Sequence, residues 1–125
     1  AQLPKSNPNY DPTKPAEIKT LTAGKLIVGS DTAYPPFENV EDGKTVGFDV
    51  ELVEAIAAKL GMTAEFKTYK FDALVTGMQA GTEFDMIASA MTATGTKGEE
   101  RRKAIDFSES YYFSDQSLTV MKAAE

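Results

Sequence analysis

Leu26-Ile27-Val28-Gly29-Ser30-Asp31 is an unbroken apolar run closed by a glycine, a hydroxyl and a carboxylate. An apolar run this short, bounded by turn residues, reads as a strand buried on both faces rather than as one side of a hairpin. Such a strand needs cover above and below. The rest of the chain therefore has to supply helices, and its patterns do.

Downstream of the Pro35-Pro36 pair, Asp42-Gly43 suits a tight turn. Asp49 is placed to cap a helix over residues 50–60, with Leu52, Val53, Ile56, Ala57 and Leu60 on one face and Gly61 as its stop. Residues 64–68 alternate as a half-exposed strand does, and Asp72 opens a second helix carrying Leu74, Val75 and Met78 and ended by Gly81. A third apolar strand covers 84–91, a short charged helix 98–104, and a last alternating strand 117–121. Strands that alternate with helices predict an α/β fold, a mainly parallel open sheet with helices on both faces. Ligands of such sheets sit beyond the carboxyl ends of the strands, at the topological switch point. That directs attention to the loops after Ser30, Tyr69 and Ser89.

Upstream, four of the six prolines (Pro4, Pro8, Pro12 and Pro15) fall among polar residues with hardly an apolar side chain between them. We read residues 1–23 as an extended tether and 24–125 as one globular unit. The 125 residues carry 42% hydrophobic and 26% charged side chains, the balance of a single soluble domain.

Composition also excludes chemistry. With no cysteine and no histidine there is no disulfide, no thiolate nucleophile, no imidazole-bound zinc and no Ser-His-Asp triad. Thirteen basic against nineteen acidic residues give a net charge of -6, which argues against nucleic acid as a partner. No Gly-rich phosphate fingerprint is present, since Gly77, Gly81, Gly95 and Gly98 make neither a Rossmann nor a P-loop pattern.

Each loop admits two readings. Tyr34 and Phe37 form a rigid aromatic wall for a ligand, or simply cover the sheet. Phe71 is an opposite wall, or a staple before the Asp72 cap. Asp31 fixes its own loop, or meets the cationic end of a ligand. Ser89-Ala90-Met91-Thr92, followed by a helix with Arg101, offers amides, hydroxyls and a guanidinium suited to a free carboxylate; alternatively it is an ordinary Ser/Thr loop beside a solvated charged helix.

Taken together, Leu26–Asp31 with Tyr34-Pro35-Pro36-Phe37-Glu38, Gly47-Phe48-Asp49-Val50-Glu51-Leu52, Phe71-Asp72-Ala73-Leu74, Phe84-Asp85-Met86-Ile87-Ala88 and Glu100-Arg101-Arg102-Lys103 resemble the polar amino-acid-binding proteins of ABC importers. The resemblance runs from about Leu21 to Lys122. It implies one lobe of a periplasmic-binding-protein type II fold, ending at the crossover to a second lobe, and a non-catalytic receptor with neither cofactor nor metal. Arg101 and Thr92 would hold the ligand α-carboxylate, and the Ala90 carbonyl and Thr92 hydroxyl its α-ammonium. Tyr34 and Phe71 would flank its side chain, with Asp31 and Ser89 at the distal end and Met91 beside the cleft. Partners would be a free L-amino acid with a polar or cationic side chain and the importer's membrane subunits, in the periplasm or outside the cell, with the tether near a membrane.

One departure from the pattern is Gly95-Thr96-Lys97-Gly98, a longer connection that would let Arg101 leave the cleft or Arg102 take its place. A single lobe is expected to bind weakly, and its uncovered sheet edge to pair with a second copy. Two other readings share the fold: a ligand-binding segment of an ionotropic glutamate-type receptor, and a dehydratase-like enzyme. The enzyme would need a placed acid or base, and the sequence shows no paired arrangement among Asp31, Glu38, Asp72 and Asp106.

Overall fold

The computed structural model describes residues 18–124. Its centre is β1 (Lys25–Ser30), buried along five of its six residues, as an uninterrupted apolar run dictates. The other strands are β2 (Ala33–Tyr34), β3 (Glu38–Glu41), β4 (Lys44–Val46), β5 (Thr63–Thr68) and β6 (Met86–Ile87); the helices are α1 (Phe48–Lys59), α2 (Phe71–Ala80) and α3 (Gly95–Arg102).

β1, β5 and β6 form a parallel sheet in the order β5-β1-β6, with Val28 opposite both Phe66 and Met86. The chain passes from β1 through α1 to β5, then crosses back through α2 to β6 on the far side of β1. That reversal places the switch point at the carboxyl end of β1. The two helices cover opposite faces, as the alternating side chains of β1 require. Leu26, Val28 and Ala88 pack with Val53 and Ala57 of α1, and Ile27 packs with Leu74 of α2 and Phe84. Met62 and Met86 fill in around the first cluster and Met78 around the second. Phe84, 1% exposed, has its ring where a Cβ on Gly29 of β1 or Gly77 of α2 would come within 2.9 Å, so both neighbours have to be glycine. Full burial of side chains such as Phe84, Leu74 and Val28 stabilises by about 1.5–3 kcal/mol each.

Several sequence expectations are corrected. The buried stripe of α1 is Val50, Val53 and Ala57, whereas Ile56 is exposed. Asp49 does not cap α1: the cap is Gly47, without a side-chain bond, and the first free amides, of Phe48 and Asp49, donate to the carbonyls of Pro36 and Phe37 (both 2.9 Å). Gly47 is held there at φ 133, and a Cβ on it would lie 2.3 Å from the Phe37 carbonyl oxygen. Asp72 likewise lies inside the first turn of α2, after a Lys70 cap. Only Met86–Ile87 of the expected strand 84–91 joins the ladder, because Ala90, at φ 45, turns the chain away. α3 starts at Gly95 rather than 98.

A second, antiparallel sheet of order β2-β3-β4 was not expected. Its Asp42-Gly43 turn was, and both turn residues have positive φ (50 and 76), the geometry of a two-residue type I′ hairpin. The strand expected over 117–121 is absent. Those residues have no regular structure, and Leu118 and Met121 are 90% and 80% exposed. Alternation is only half of what a strand needs; the other half is a partner row, and none lies alongside among the described residues. Residues 1–17 of the expected tether lie outside the described residues, while the Leu21 amide donates to Asp85 Oδ1 (2.8 Å), tying that segment to the sheet.

Candidate functional site

The three loops singled out at the carboxyl end of the sheet are bound to one another. The backbone N–H of Asp31 donates to Ser89 Oγ (2.9 Å), and Asp31 Oδ2 accepts the N–H of Phe71 (3.1 Å). Because Lys70 offers no side-chain cap, Asp31 satisfies the first amide of α2 from across the sheet, with its negative charge at the positive end of the helix. The loop-fixing reading of Asp31 is thus realised in the structure. Thr32 and Thr68 add a hydroxyl pair at 2.9 Å between the first two loops.

Arg101 stays at this rim. The Gly95–Gly98 stretch winds into α3 instead of bulging outward, and Gly98 lets the helix sit on the preceding loop, where a Cβ would lie 2.3 Å from the Ala93 carbonyl carbon. Arg101 Nη1 donates to the Thr92 carbonyl (2.9 Å) and its guanidinium lies 5.1 Å from the centroid of the Phe71 ring. Stacking and one backbone bond fix the plane of the fork. Among the described residues no carboxylate pairs with it, so its remaining donors suit an anion.

Below the rim lies a polar cluster that sequence reasoning missed. Glu38 of β3 and Asp49 of α1 are both completely buried. Asp49 Oδ2 accepts the Ala90 N–H (2.7 Å) and Oδ1 the Tyr111 hydroxyl (2.7 Å). Glu38 Oε1 accepts the Ser89 hydroxyl (3.3 Å). Burial, reinforced by the adjoining Asp49, pushes the Glu38 carboxyl up to about 9. Burial and the Asp49 bond also raise the Tyr111 phenol. The one sequence signal was the Pro36-Phe37-Glu38 and Gly47-Phe48-Asp49 segments, which gave no hint that their acids meet. Neither acid is exposed, although Asp49 borders the cleft described below.

The eight candidate residues therefore fall into groups. Asp31, Phe71 and Arg101 are linked through α2 and the aromatic ring. Ser89 is buried, its hydroxyl engaged by Asp31 and Glu38, and Ala90 is held by Asp49. Met91 packs against the α2 core. Tyr34 is 57% exposed and stacks on Phe37 at 5.8 Å. A cleft of about 740 Å³ runs from Tyr34 past Ser89, Ala90, Met91 and Thr92 to the segment 104–114, and among the described residues its walls do not include Asp31, Phe71 or Arg101.

Comparison with known proteins agrees with this architecture. A family model described as bacterial extracellular solute-binding proteins, family 3, matches residues 26–125. The chain is 43% identical over 103 residues to a probable histidine-binding protein of Campylobacter jejuni, covering 82% of this chain and 37% of that one. It is 39% identical over 98 residues to the arginine-binding extracellular protein ArtP of Bacillus subtilis, covering 78% and 36%. The chain thus spans less than two-fifths of the length of these curated relatives. Among solved structures it resembles the arginine-bound form of domain 1 from TmArgBP, with a TM-score of 0.65 and 40% identity over 71% of this chain and 68% of that one.

Proposed function

The chain belongs to the bacterial extracellular solute-binding proteins of family 3, and from that premise we propose that it is the amino-acid-binding part of an ABC importer's receptor. The observation that carries the reading is Arg101: a guanidinium fixed over Phe71, bonded to the Thr92 carbonyl and unpaired with any carboxylate among the described residues, at the switch point where ligands of such sheets bind. It would take both carboxylate oxygens of a free amino acid, with the Thr92 hydroxyl and Ala90 carbonyl near the ammonium group. Phe71 and Tyr34 would flank the side chain. Asp31 would bias selection toward a polar or cationic one, in line with the arginine and histidine named in the similar proteins. Catalysis is not part of the proposal. It rests on binding alone.

We propose that this lobe by itself supplies contacts from one side of the ligand. If two charge-assisted hydrogen bonds of about 1.5–3 kcal/mol each are left unmade, affinity is about a hundredfold to ten-thousandfold below that of a two-sided cleft. The edge position of β6 and the exposed Leu118 and Met121 support pairing of two copies, which light scattering over a range of concentrations would reveal. Segment 1–23 would hold the receptor near a membrane outside the cytoplasm.

An NMR amide titration with L-arginine, L-histidine and L-glutamine tests the binding reading, since it detects millimolar affinities. Shifts are expected at Asp31, Phe71, Thr92 and Arg101 and are lost in Arg101→Ala. A folded spectrum that none of the three amino acids perturbs would refute the reading.

A further inference from the structure

Glu38 has no exposed surface, yet its Oε2 lacks a hydrogen-bond partner among the described residues, as does Ser30 Oγ at the end of β1. A buried carboxylate so poorly satisfied is costly, and its neutral form is much less so. Building on the amino-acid site proposed above, we propose that Glu38 is a positioning residue for it: a neutral carboxylic acid beside the Asp49 carboxylate that fixes Ser89, Ala90 and Asp31.

The division of roles follows from what each acid receives. Asp49 lies in the first turn of α1, where the helix favours negative charge, and accepts both the Ala90 amide and the Tyr111 hydroxyl. Glu38 accepts only the Ser89 hydroxyl. The groups acting on it are Asp49 from α1, Asp31 from the loop after β1, and Ser89 from the loop after β6; Tyr111 of the C-terminal segment is coupled to it through Asp49, and among the described residues no lysine or arginine contributes. With one cation-free pocket and two carboxyls, a single proton resolves the repulsion, and burial with Asp49 alongside places it on Glu38.

From Glu38 the order propagates outward. Ser89 Oγ, held by Glu38, accepts the Asp31 amide, and Asp31 accepts the Phe71 amide beneath the Arg101 guanidinium. Ala90 sits at φ 45, a left-handed conformation that costs a non-glycine residue energy and persists only when held. The Asp49 bond holds it and so sets how that peptide meets a ligand. A second negative charge at Glu38 would push directly on this bond.

The test uses the whole chain with Glu38→Gln, a neutral group that keeps the hydrogen bonds, and Glu38→Leu, which removes them. In carbon-detected NMR the Glu38 carboxyl is expected to titrate well above pH 7; titration near the ordinary 4.5 overturns the proposal. The amide shifts of Asp31 and Ala90 are expected to be kept in Glu38→Gln and displaced in Glu38→Leu. With L-arginine as the probe, Glu38→Leu should bind at least tenfold more weakly and Glu38→Gln within threefold of the native chain. Between pH 7 and 10 native affinity should fall more steeply than that of Glu38→Gln, which cancels the ligand's own titration. Equal damage by Gln and Leu, or parallel pH profiles, refutes the proposal; if Glu38→Leu fails to fold, the Glu38 carboxyl titration and the pH profile of Glu38→Gln decide it. If the native chain binds no amino acid, the binding reading falls, while the carboxyl titration and the two amides still decide this one.

Discussion

The body of the parallel sheet and its carboxyl rim are held by different forces. In the body, the side chains of β1 are clamped between α1 and α2 mainly by apolar shape, down to a phenyl ring fitted against two glycines. At the rim, 2.7–3.3 Å hydrogen bonds engage Asp31, Glu38, Asp49, Ser89, Ala90 and Tyr111, with bonded partners up to 62 positions apart. The body gains energy whatever its exact partners, as long as volume and periodicity agree. The rim gains little net energy per bond but loses heavily if one partner goes missing. The difference teaches that stability and recognition are separable here and fail under different perturbations.

The strongest test of that separation is Phe84→Ala, which empties the slot in the body. A loss of about 3–5 kcal/mol is expected in urea unfolding, while rim amide shifts stay in place at temperatures where the variant is folded. Movement of the Asp31 and Ala90 amides in that variant would join the two regions into one. Next comes pH. Glu38 binds its proton more tightly in the native state, so its contribution is full below about 4.5 and is lost as pH rises toward about 9. Across that window stability should fall by at most about 1.4 kcal/mol per unit, and thermal melts of Glu38→Gln should lack this slope. A native chain whose melting point is flat from pH 5 to 9 would contradict it. Asp31→Asn leaves a weaker acceptor for the Phe71 amide and removes the charge at the start of α2; a loss of about 0.5–1 kcal/mol is expected, read by chemical denaturation. The smallest effect is at the exposed start of the sheet, away from its core. Lys25→Met breaks the exposed Lys25–Glu65 pair (3.1 Å) and should cost no more than about 0.5 kcal/mol.

The same division explains what the sequence disclosed. β1, β5, α2 and their glycine stops were legible because burial imprints a period on neighbouring positions. The loops after Ser30, Tyr69 and Ser89 do meet at the carboxyl end of the sheet, because strand order brings them there. The rim's polar cluster was not legible, since nothing local marks Glu38 as an acid that meets Asp49. Asp49 itself was misread as a cap, because the carbonyls of Pro36 and Phe37, brought back by the hairpin, took over that duty. The hairpin strands are two to four residues long, too short to imprint a period. The 117–121 segment taught the converse, a full period with nothing to pair it.

Gly29, Gly77 and Phe84 interlock so tightly that they behave as a single inherited unit. A methyl added at either glycine would strike the ring at 2.9 Å unless the ring shrank in the same step. Change at one of these positions is therefore conditional on change at another, and any route from this core to a differently filled one runs through a smaller residue at 84 first.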